Sequence, residues 1–256
     1  MEIKLSAVII TYNEERNIER CLNSLDGIAD EIIVVDSFST DNTKSICIAA
    51  GAQFIEHKFE GHIEQKNWAK EQARFDYILS LDADEALDDK LRLVMIAIKK
   101  KWEFDGYSMN RLTNFCGQWI RHSGWYPDVK LRVFDRRKAE WGGDNPHDKI
   151  IMNSTASATH LPGNILHYSF YTLDEHMQQI NKFSTIGAKA LHQRGKRSSW
   201  LKVLYKPAAK FIKSLILQKG FLDGYFGWII CKRSSYANYL KYRKLYLLQR
   251  GKSIDE

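Results

Sequence analysis

The chain has 256 residues, of which 44% are hydrophobic and 27% charged, so its composition excludes a disordered or collagen-like protein. The four cysteines are scattered, without the paired spacing of a zinc site or a disulfide framework. The net charge of +7 conceals an asymmetry, because residues 189–256 carry 16 Lys and Arg against 3 Asp and Glu, whereas residues 1–188 are mildly acidic.

The first 82 residues alternate between strand and helix patterns. Short apolar runs predict strands over residues 5–10, 31–35, 53–57 and 77–81. Helical spacing of apolar residues predicts helices between them, the first capped by Asn13 and the second capped by Asp41 and followed by Gly51. This repeated order with short links predicts an α/β fold with a mostly parallel, Rossmann-like sheet flanked by helices.

After Asp82 the pattern changes. We predict a helix over 87–101 and short strands at 107–112, 130–134 and 165–169. Helices follow from Leu173, including one that begins at Pro207 and ends before Gly220 and another over 234–249. A boundary near residue 195 then separates an α/β domain, 1–195, from a basic amphipathic helical extension, 196–256.

Polar residues follow three of the predicted strands, where an open parallel sheet binds its ligands. They lie at residues 11–14, 36–41 and 82–85. The first strand–helix turn lacks the glycines of a Rossmann dinucleotide site, and the chain has no P-loop. The rim is therefore a candidate site for another class of ligand.

Asp82 and Asp84 are the most specific chemical signal in this half of the chain. A departing diphosphate needs its growing charge neutralised, and a hard divalent cation bound by carboxylates does this. Asp84 is predicted to bind the metal directly, and Asp82 to contact either the donor ribose or the metal through water. The alternative is that both residues only cap the next helix, but their position beside two other polar strand ends favours the metal site.

Three segments in this order resemble family 2 inverting glycosyltransferases: 6–14 (SAVIITYNE), 31–37 with 39–41 (EIIVVDS and STD), and 78–85 (ILSLDADE). The resemblance implies a GT-A fold with a nucleotide-binding half, 1–85, and an acceptor half, 86–195. It also implies a Mg²⁺ or Mn²⁺ ion on Asp84 and contact of Lys66 with the donor. By position, the residues that hold the uridine part are Thr11, Asn13, Glu14 and Asp36.

Segments 124–128, 130–134 and 146–149 look like the lipopolysaccharide-core β-1,4-glucosyltransferase subgroup. That likeness implies UDP-glucose as donor and a glycolipid hydroxyl as acceptor. The subgroup usually has His-Glu where this chain has His147-Asp148, which brings the carboxylate one methylene closer to the backbone.

Inverting transfer needs a base for the acceptor proton, and Asp148 is our candidate, with Glu85 as a weaker alternative. Asp148 could instead belong to a surface turn. Arg132 is predicted either to bind a donor phosphate or to form a structural ion pair. His167 could complete the metal site or contact the diphosphate, although a hydrogen-bonded core residue is the default expectation for a lone histidine in a strand. The aromatic candidates for a sugar-stacking platform, which are equally suited to the core, are Trp119, Trp125, Tyr126 and Trp141.

The basic extension combines lysines with apolar and aromatic residues, a composition typical of helices at a membrane interface. The alternative is packing against the catalytic domain or a second subunit. Nucleic acid is not favoured, because no binding motif accompanies the charge. With neither a secretory signal nor a long apolar span in sight, we expect a cytoplasmic protein, peripheral on the inner face of the cell membrane.

The sequence thus predicts a metal-dependent inverting hexosyltransferase that moves a sugar from a UDP-sugar to a lipopolysaccharide-core or related glycolipid. One alternative is a glycosyltransferase acting on polyprenyl phosphate or on protein. Another is a nucleotide-sugar-binding module without turnover.

Overall fold

The computed structural model describes residues 2–144 and 147–254. Backbone packing divides the chain into two compact units, the first formed by Met1–Leu112 with Asp128–Tyr168 and the second by Thr113–Pro127 with Ser169–Glu256. The boundary predicted near residue 195 lies within the second unit, so the division into a catalytic domain and a basic extension stays a prediction.

Among its described residues, the first unit contains ten strands and four helices, and two of the strands, β6 and β11, extend along the chain beyond the bounds of the unit. The strands are β1 Leu5–Thr11, β2 Glu31–Asp36, β3 Gln53–Glu56, β4 Tyr77–Asp82, β5 Glu85–Leu87, β6 Gly106–Phe115, β8 Asp128–Asp135, β9 Ala139–Asp144, β10 His147–Met152 and β11 Ala158–Phe170. The helices are α1 Ile18–Asn23, α2 Thr43–Ala49, α3 His62–Glu71 and α4 Asp89–Lys100.

The sheet of this unit has the order β3-β2-β1-β4-β8-β6-β11-β5. The pairs β2–β3, β1–β2 and β1–β4 are parallel, which confirms the predicted α/β architecture of the first 82 residues. From β4 onward the recorded pairings β4–β8, β6–β8 and β5–β11 are antiparallel, and β9 and β10 form a separate hairpin. The parallel strand order 3-2-1-4 places a topological switch point between β1 and β4, where ligands bind in such sheets.

Alternation along the strands explains how one sheet supports two apolar layers. In β1, Leu5, Ala7 and Ile9 join a cluster with α1, α2 and α4, whereas Val8 joins a second cluster with α3 and the β9–β10 hairpin. Because successive side chains point to opposite faces, the strand buries almost its whole length. Apart from Ser6, whose buried hydroxyl donates to Glu31 at 2.6 Å, its polar side chains lie at the strand end, at Thr11 and beyond.

Three predicted helix starts need correction. Asn42, and not Asp41, is the N-cap residue of α2, although Asp41 Oδ1 accepts from Thr43 N at 3.0 Å. Asn13 does not cap α1, which begins at Ile18 after Asn17; Asn13 instead has a φ of 53°, a left-handed conformation that asparagine tolerates. The helix predicted over 87–101 begins at Asp89, capped by the Asp88 side chain. Leu87 belongs to β5, a short strand that the sequence pattern did not reveal.

The second unit is mainly helical. Its elements are β7 Gln118–Ile120, which pairs with the end of β6, then α5 Leu173–Gln193, α6 Trp200–Ile212, a π-helical turn Lys213–Leu217, a 3₁₀ turn Gly220–Asp223 and α7 Gly224–Leu248. Phe115, Ile120, Phe170 and Ile230 form its small buried cluster. Across the described ranges 2–144 and 147–254, no helix is both long enough and apolar enough to cross a bilayer.

The prediction that a helix starts at Pro207 is wrong, because α6 begins seven residues earlier at Trp200 and contains the proline. The start is set by Ser199, whose hydroxyl accepts a hydrogen bond from Lys202 N at 3.3 Å. Gly220 does not occupy the predicted C-terminal position, since Lys219 takes the left-handed conformation with a φ of 53°. The last helix also begins earlier than predicted, at Gly224.

Candidate active site

The loops that follow β1 and β2 are joined by hydrogen bonds. Asp36 accepts from both the backbone N–H and the hydroxyl of Ser39. The Ser39 hydroxyl accepts from Asn13 N at 2.7 Å, and Asn13 Oδ1 accepts from Thr40 N at 2.8 Å. Thr11 lies at the base of these loops, and its buried Oγ1 has no hydrogen-bond partner among the described residues. The structure thus brings together three of the four residues predicted to hold the uridine.

Glu14, the fourth, is positioned by its backbone and its side chain. Its N–H donates to Thr43 Oγ1 at 2.9 Å, and its carboxylate accepts from Asn17 Nδ2 at 2.7 Å. Burial raises the pKa of Glu14 to about 7, and the negative charges of Asp84 and Asp82 act in the same direction, against the Asn17 hydrogen bond. The end of β1 therefore lies within electrostatic reach of the acidic residues that follow β4.

Two buried cations organise the end of β4. Lys66 Nζ lies 2.9 Å from Asp82 Oδ1 and 2.8 Å from Asp148 Oδ2. Arg132 Nη2 lies 3.1 Å from Asp82 Oδ2 and 2.9 Å from Glu85 Oε1. The Lys66 and Arg132 side chains are each only 4% exposed. The structure therefore joins five predicted site residues in one ion-pair network.

Within this network the two acidic residues of the Asp-x-Asp motif are not equivalent. Burial alone would raise the pKa of Asp82, but the charges of Lys66 and Arg132 hold it well below its ordinary value. Both Asp82 oxygens are engaged by those cations. Asp84 lies outside the network, so it is the carboxylate of the pair that is better placed for direct metal coordination.

Asp84 pairs with His167, another predicted metal ligand. Asp84 Oδ2 lies 3.1 Å from His167 Nε2, and His167 is held opposite Glu85 in the β5–β11 ladder. Burial lowers the pKa of His167, but the charge and hydrogen bond of Asp84 outweigh it, so the pKa is raised overall. Within residues 2–144 and 147–254 no group of three or more His, Cys, Asp or Glu converges on a metal position. The pair fits a cation that takes one or two protein ligands and completes its coordination with phosphate and water.

Glu85 and Asp148, the two predicted bases, have different surroundings. The Glu85 side chain is fully buried and contacts Arg132 and Arg111, and it also accepts from Asp82 N at 3.0 Å. Asp148 borders an open cleft and contacts Lys66 through Oδ2. Its Oδ1 makes no hydrogen bond to any other described residue. Of the two carboxylates, Asp148 is therefore the one with an oxygen available to a substrate.

The cleft beside Asp148 has a volume of about 400 Å³. Lys66, Asp82, Arg132 and Trp141 contribute to its lining. The Trp141 ring lies 4.4 Å from Lys66 Nζ and 5.3 Å from the Arg132 guanidinium carbon, distances typical of cation–π contacts. Arg132 forms the structural ion pair that was one of its two predicted roles. Its Nε and Nη1 atoms are buried without a hydrogen-bond partner in the described part of the chain.

Sequence reasoning missed two residues that shape this cleft. Arg111 lines it and contacts Asp128, its partner in the β6–β8 register, at 2.9 Å. Asn67 exchanges two hydrogen bonds with the backbone of Trp141, at 2.8 and 3.0 Å, and so fixes α3 against β9. The available signal for Asn67 was its position next to Lys66. Pro146, within the segment 146–149 used for the subgroup resemblance, lies outside the described residues.

The family to which this site belongs is decided by comparison with known proteins. The family model described as glycosyl transferase family 2 matches residues 6–160, which is more than half of the chain. The chain belongs to glycosyl transferase family 2. The predicted family and its GT-A fold class are therefore confirmed, and the protein is a glycosyltransferase.

Relatives of this family 2 chain extend over almost its whole length. It is 29% identical over 252 residues to the lipopolysaccharide core biosynthesis glycosyltransferase LpsC of Rhizobium meliloti, covering 96% of this chain and 93% of LpsC. It is 28% identical over 254 residues to the uncharacterized glycosyltransferase RT0209 of Rickettsia typhi, covering 94% and 86% of the two chains. Among solved structures, Staphylococcus aureus TarS 1–349 with UDP is similar at a TM-score of 0.49 and 15% identity, covering 99% of this chain and 95% of TarS 1–349.

Proposed function

We propose that this family 2 enzyme is a metal-dependent inverting hexosyltransferase that moves glucose from UDP-glucose to a hydroxyl of a lipopolysaccharide-core or related glycolipid. The observation that carries the proposal is the placement of Asp148 on an open cleft, joined through buried Lys66 to Asp82 at the end of β4. The full-length similarity to LpsC, named for lipopolysaccharide core biosynthesis, supports the acceptor class.

On this proposal the donor occupies the switch point between β1 and β4. Thr11, Asn13, Glu14 and Asp36 would hold the uridine part, and Lys66 would approach the diphosphate. Asp84 and His167 would hold the Mg²⁺ or Mn²⁺, which supplies positive charge to the departing diphosphate. Thr11 Oγ1, and Nε and Nη1 of Arg132, are buried atoms without protein partners in the described structure, so they are suited to donor contacts.

Asp148 would act as the base. Lys66 would fix the Asp148 carboxylate through Oδ2, while Oδ1 accepts the proton of the acceptor hydroxyl. The deprotonating oxygen then attacks the anomeric carbon on the face opposite the nucleotide. The bond from that carbon to the diphosphate breaks, and the nucleoside diphosphate leaves.

The test is the variant Asp148→Asn, which keeps the shape but removes the proton acceptor. We expect kcat to fall by about 10²–10⁴-fold, the range typical of general-base catalysis, while calorimetric binding of the UDP-sugar changes little. The control is Asp105→Asn, which removes a carboxylate paired with Lys138 on another part of the same unit. If Asp148→Asn retained wild-type turnover, the base assignment would be wrong.

The same variant separates the alternative acceptors. A phosphate oxygen of polyprenyl phosphate is already ionised and needs no base, so that enzyme would retain its activity in Asp148→Asn. A binding module without turnover would show no transfer to any acceptor in the wild-type chain. We therefore expect transfer to a lipopolysaccharide-core acceptor and a strong dependence on Asp148.

We also propose that the extension, 196–256, contacts the membrane that carries the acceptor. Large apolar side chains are unusually exposed along α6 and the turns after it, and such patches mark interaction sites. The exposed fractions are Leu201 74%, Leu204 55%, Tyr205 50%, Ile212 54%, Ile216 57%, Leu217 74%, Phe221 57%, Leu222 57%, Tyr225 66% and Trp228 44%. Leu201, Leu204, Tyr205 and Ile212 follow the helical spacing of a single stripe.

The charges in this region favour an anionic lipid surface as the occupant. Burial and the neighbouring charge of Lys213 lower the pKa of Lys210. Burial and the charges of Lys210 and Lys206 lower the pKa of Lys241. This mutual repulsion among lysines would be relieved by lipid phosphates, and each cation near an anionic bilayer contributes roughly 1 kcal/mol.

The membrane proposal is tested by co-sedimentation with phosphatidylcholine vesicles that contain phosphatidylglycerol. The double variant Leu201→Gln/Leu204→Gln should weaken vesicle binding about a hundredfold or more, because each leucine that enters the bilayer contributes roughly 1.5–3 kcal/mol of apolar transfer. The control Leu93→Gln removes a leucine that is 70% exposed on α4. Equal vesicle binding by both variants would exclude the stripe as the membrane contact. If instead the protein formed a concentration-dependent dimer that only the double variant disrupted, the stripe would be a subunit interface.

A further inference from the structure

A second cleft lies in the helical unit, and none of the residues used for glycosyl transfer contributes to its lining. It has a volume of about 560 Å³ and lies where the end of α5, the α5–α6 connection and the end of α7 meet. Its lining consists of His192, Gly195, Lys196, Arg197, Ser198, Gln249 and Arg250. Three of these side chains are permanent cations, one is a histidine, and none is a carboxylate, so the cleft is suited to an anion.

Ser198 supplies an independent indication of a ligand. The residue is 6% exposed, and its Oγ is buried without a hydrogen-bond partner in the described structure. Its backbone is fully engaged, since Ser198 N donates to Gln249 Oε1 at 3.0 Å and Ser198 O accepts from Gln249 Nε2 at 2.7 Å. Gln249 therefore fixes Ser198 in place while its hydroxyl remains unsatisfied. A buried hydroxyl of this kind is normally paired, so a ligand in the cleft would complete it.

The start of α6 adds a favourable field. Ser199 caps this 13-residue helix, and Arg197 and Ser198 directly precede the cap. The amino end of a helix carries partial positive charge and favours anions, phosphate in particular. The ends of α5 and α7 account for cations nearby, since helix C-termini attract positive charge. They do not account for a buried hydroxyl without a partner.

We infer that this cleft binds a phosphate group. Phosphate offers several acceptor oxygens to donors that converge from different directions, and a guanidinium binds two of them at once. Arg197 and Arg250 would supply the charge, and the Ser198 hydroxyl would donate to one oxygen. The phosphate could belong to a lipid headgroup or to a soluble phosphate ester, which share this chemistry. The inference does not depend on the proposed transfer reaction.

The first test is calorimetric titration of the full chain with inorganic phosphate. Arg197→Gln should weaken binding about tenfold to a hundredfold, the effect of removing a charge-assisted hydrogen bond. Ser198→Ala should weaken it several-fold without lowering the unfolding midpoint, because the removed hydroxyl has no protein partner. The matched control is Arg243→Gln, which removes an exposed arginine of α7 outside the cleft.

A second arm identifies the source of the phosphate. If glycerol 3-phosphate shows the same dependence on Arg197, the ligand is a soluble ester; if only vesicles containing phosphatidic acid show it, the ligand is a headgroup. Either result supports the site. The inference is overturned if Arg197→Gln and Ser198→Ala bind phosphate, glycerol 3-phosphate and the vesicles as tightly as the control Arg243→Gln does. Asp148→Asn should retain phosphate binding here, so failure of the transfer proposal is a separate outcome.

Discussion

Replacement of Lys66 by methionine tests the ion-pair network most sharply. Lys66 is 4% exposed and contacts Asp82 and Asp148 at 2.9 and 2.8 Å, and these carboxylates are 28% and 14% exposed. Methionine keeps the side-chain length but leaves Asp148 without a cation in contact, while Asp82 keeps Arg132 at 3.1 Å. Asp148, which is partly buried, then keeps only the more distant charge of Arg132, and Asp82 keeps one of its two ion pairs.

Breaking a buried ion pair by removing one partner costs about 3–5 kcal/mol. Because both carboxylates retain some contact with solvent and Asp82 keeps Arg132, we expect Lys66→Met to lower the free energy of unfolding by about 2–4 kcal/mol. The matched control is Lys44→Met. Lys44 lies 2.9 Å from Glu56, but these side chains are 54% and 43% exposed, so its loss should cost at most about 1 kcal/mol.

The assay is urea unfolding at several pH values. The folded-state pKa of Asp82 is lowered, so the stability it contributes is present above its ordinary pKa near 4 and is lost as the pH falls below that. The wild type should therefore lose stability in acid faster than Lys66→Met, and the difference between them should shrink below about pH 4. If Lys66→Met cost no more than Lys44→Met at pH 7, the network would not be the buried unit described above.

Two further predictions concern stability. Because the pKa of Glu14 is raised to about 7, the wild type should lose stability as the pH rises from about 4.5 to about 7. Glu14→Gln should remove this pH dependence in thermal melts. Above pH 7 the variant should be more stable by about 1–2 kcal/mol, which is the roughly 3 kcal/mol given by the full pKa shift reduced for the partial exposure of the side chain. Gly163 has a φ of +111°, and an added Cβ would lie 2.7 Å from Leu91 N, so Gly163→Ala should cost about 1–3 kcal/mol more than Gly51→Ala, whose Cβ meets open space. Equal unfolding midpoints for the two glycine variants would contradict the steric argument.

The strands and helices of the first 82 residues were largely predictable because their signals are local. The apolar run of β1 fits a strand buried on both faces, and Gly51 follows α2 with a φ of +76°. The carboxyl ends of parallel strands share one edge, so the register pairs Thr11 with Asp36 and Ile10 with Asp82. Local pattern and strand order were therefore enough to gather the polar rim.

The rest of the site depends on contacts between distant segments. Lys66 and Asp148 are 82 positions apart and meet only because α3 packs with the β9–β10 hairpin, which no periodicity indicated. The predicted bounds of the C-terminal helices were wrong for a different reason. Pro207 was interpreted as the start of a helix, although Ser199 provides the N-cap. A proline inside a helix removes a backbone hydrogen bond and destabilises the helix. The sequence alone therefore favoured Pro207 as the first residue of a helix rather than an interior one.

In the proposed mechanism, a divalent cation held by Asp84 would stabilise the departing diphosphate at the end of β4. The most direct measurement is calorimetric binding of UDP-glucose with and without Mn²⁺, for the wild type and Asp84→Ala. The wild type should bind more tightly with Mn²⁺, and Asp84→Ala should remain folded but lose that difference. Equal enhancement by Mn²⁺ in both proteins would contradict the account.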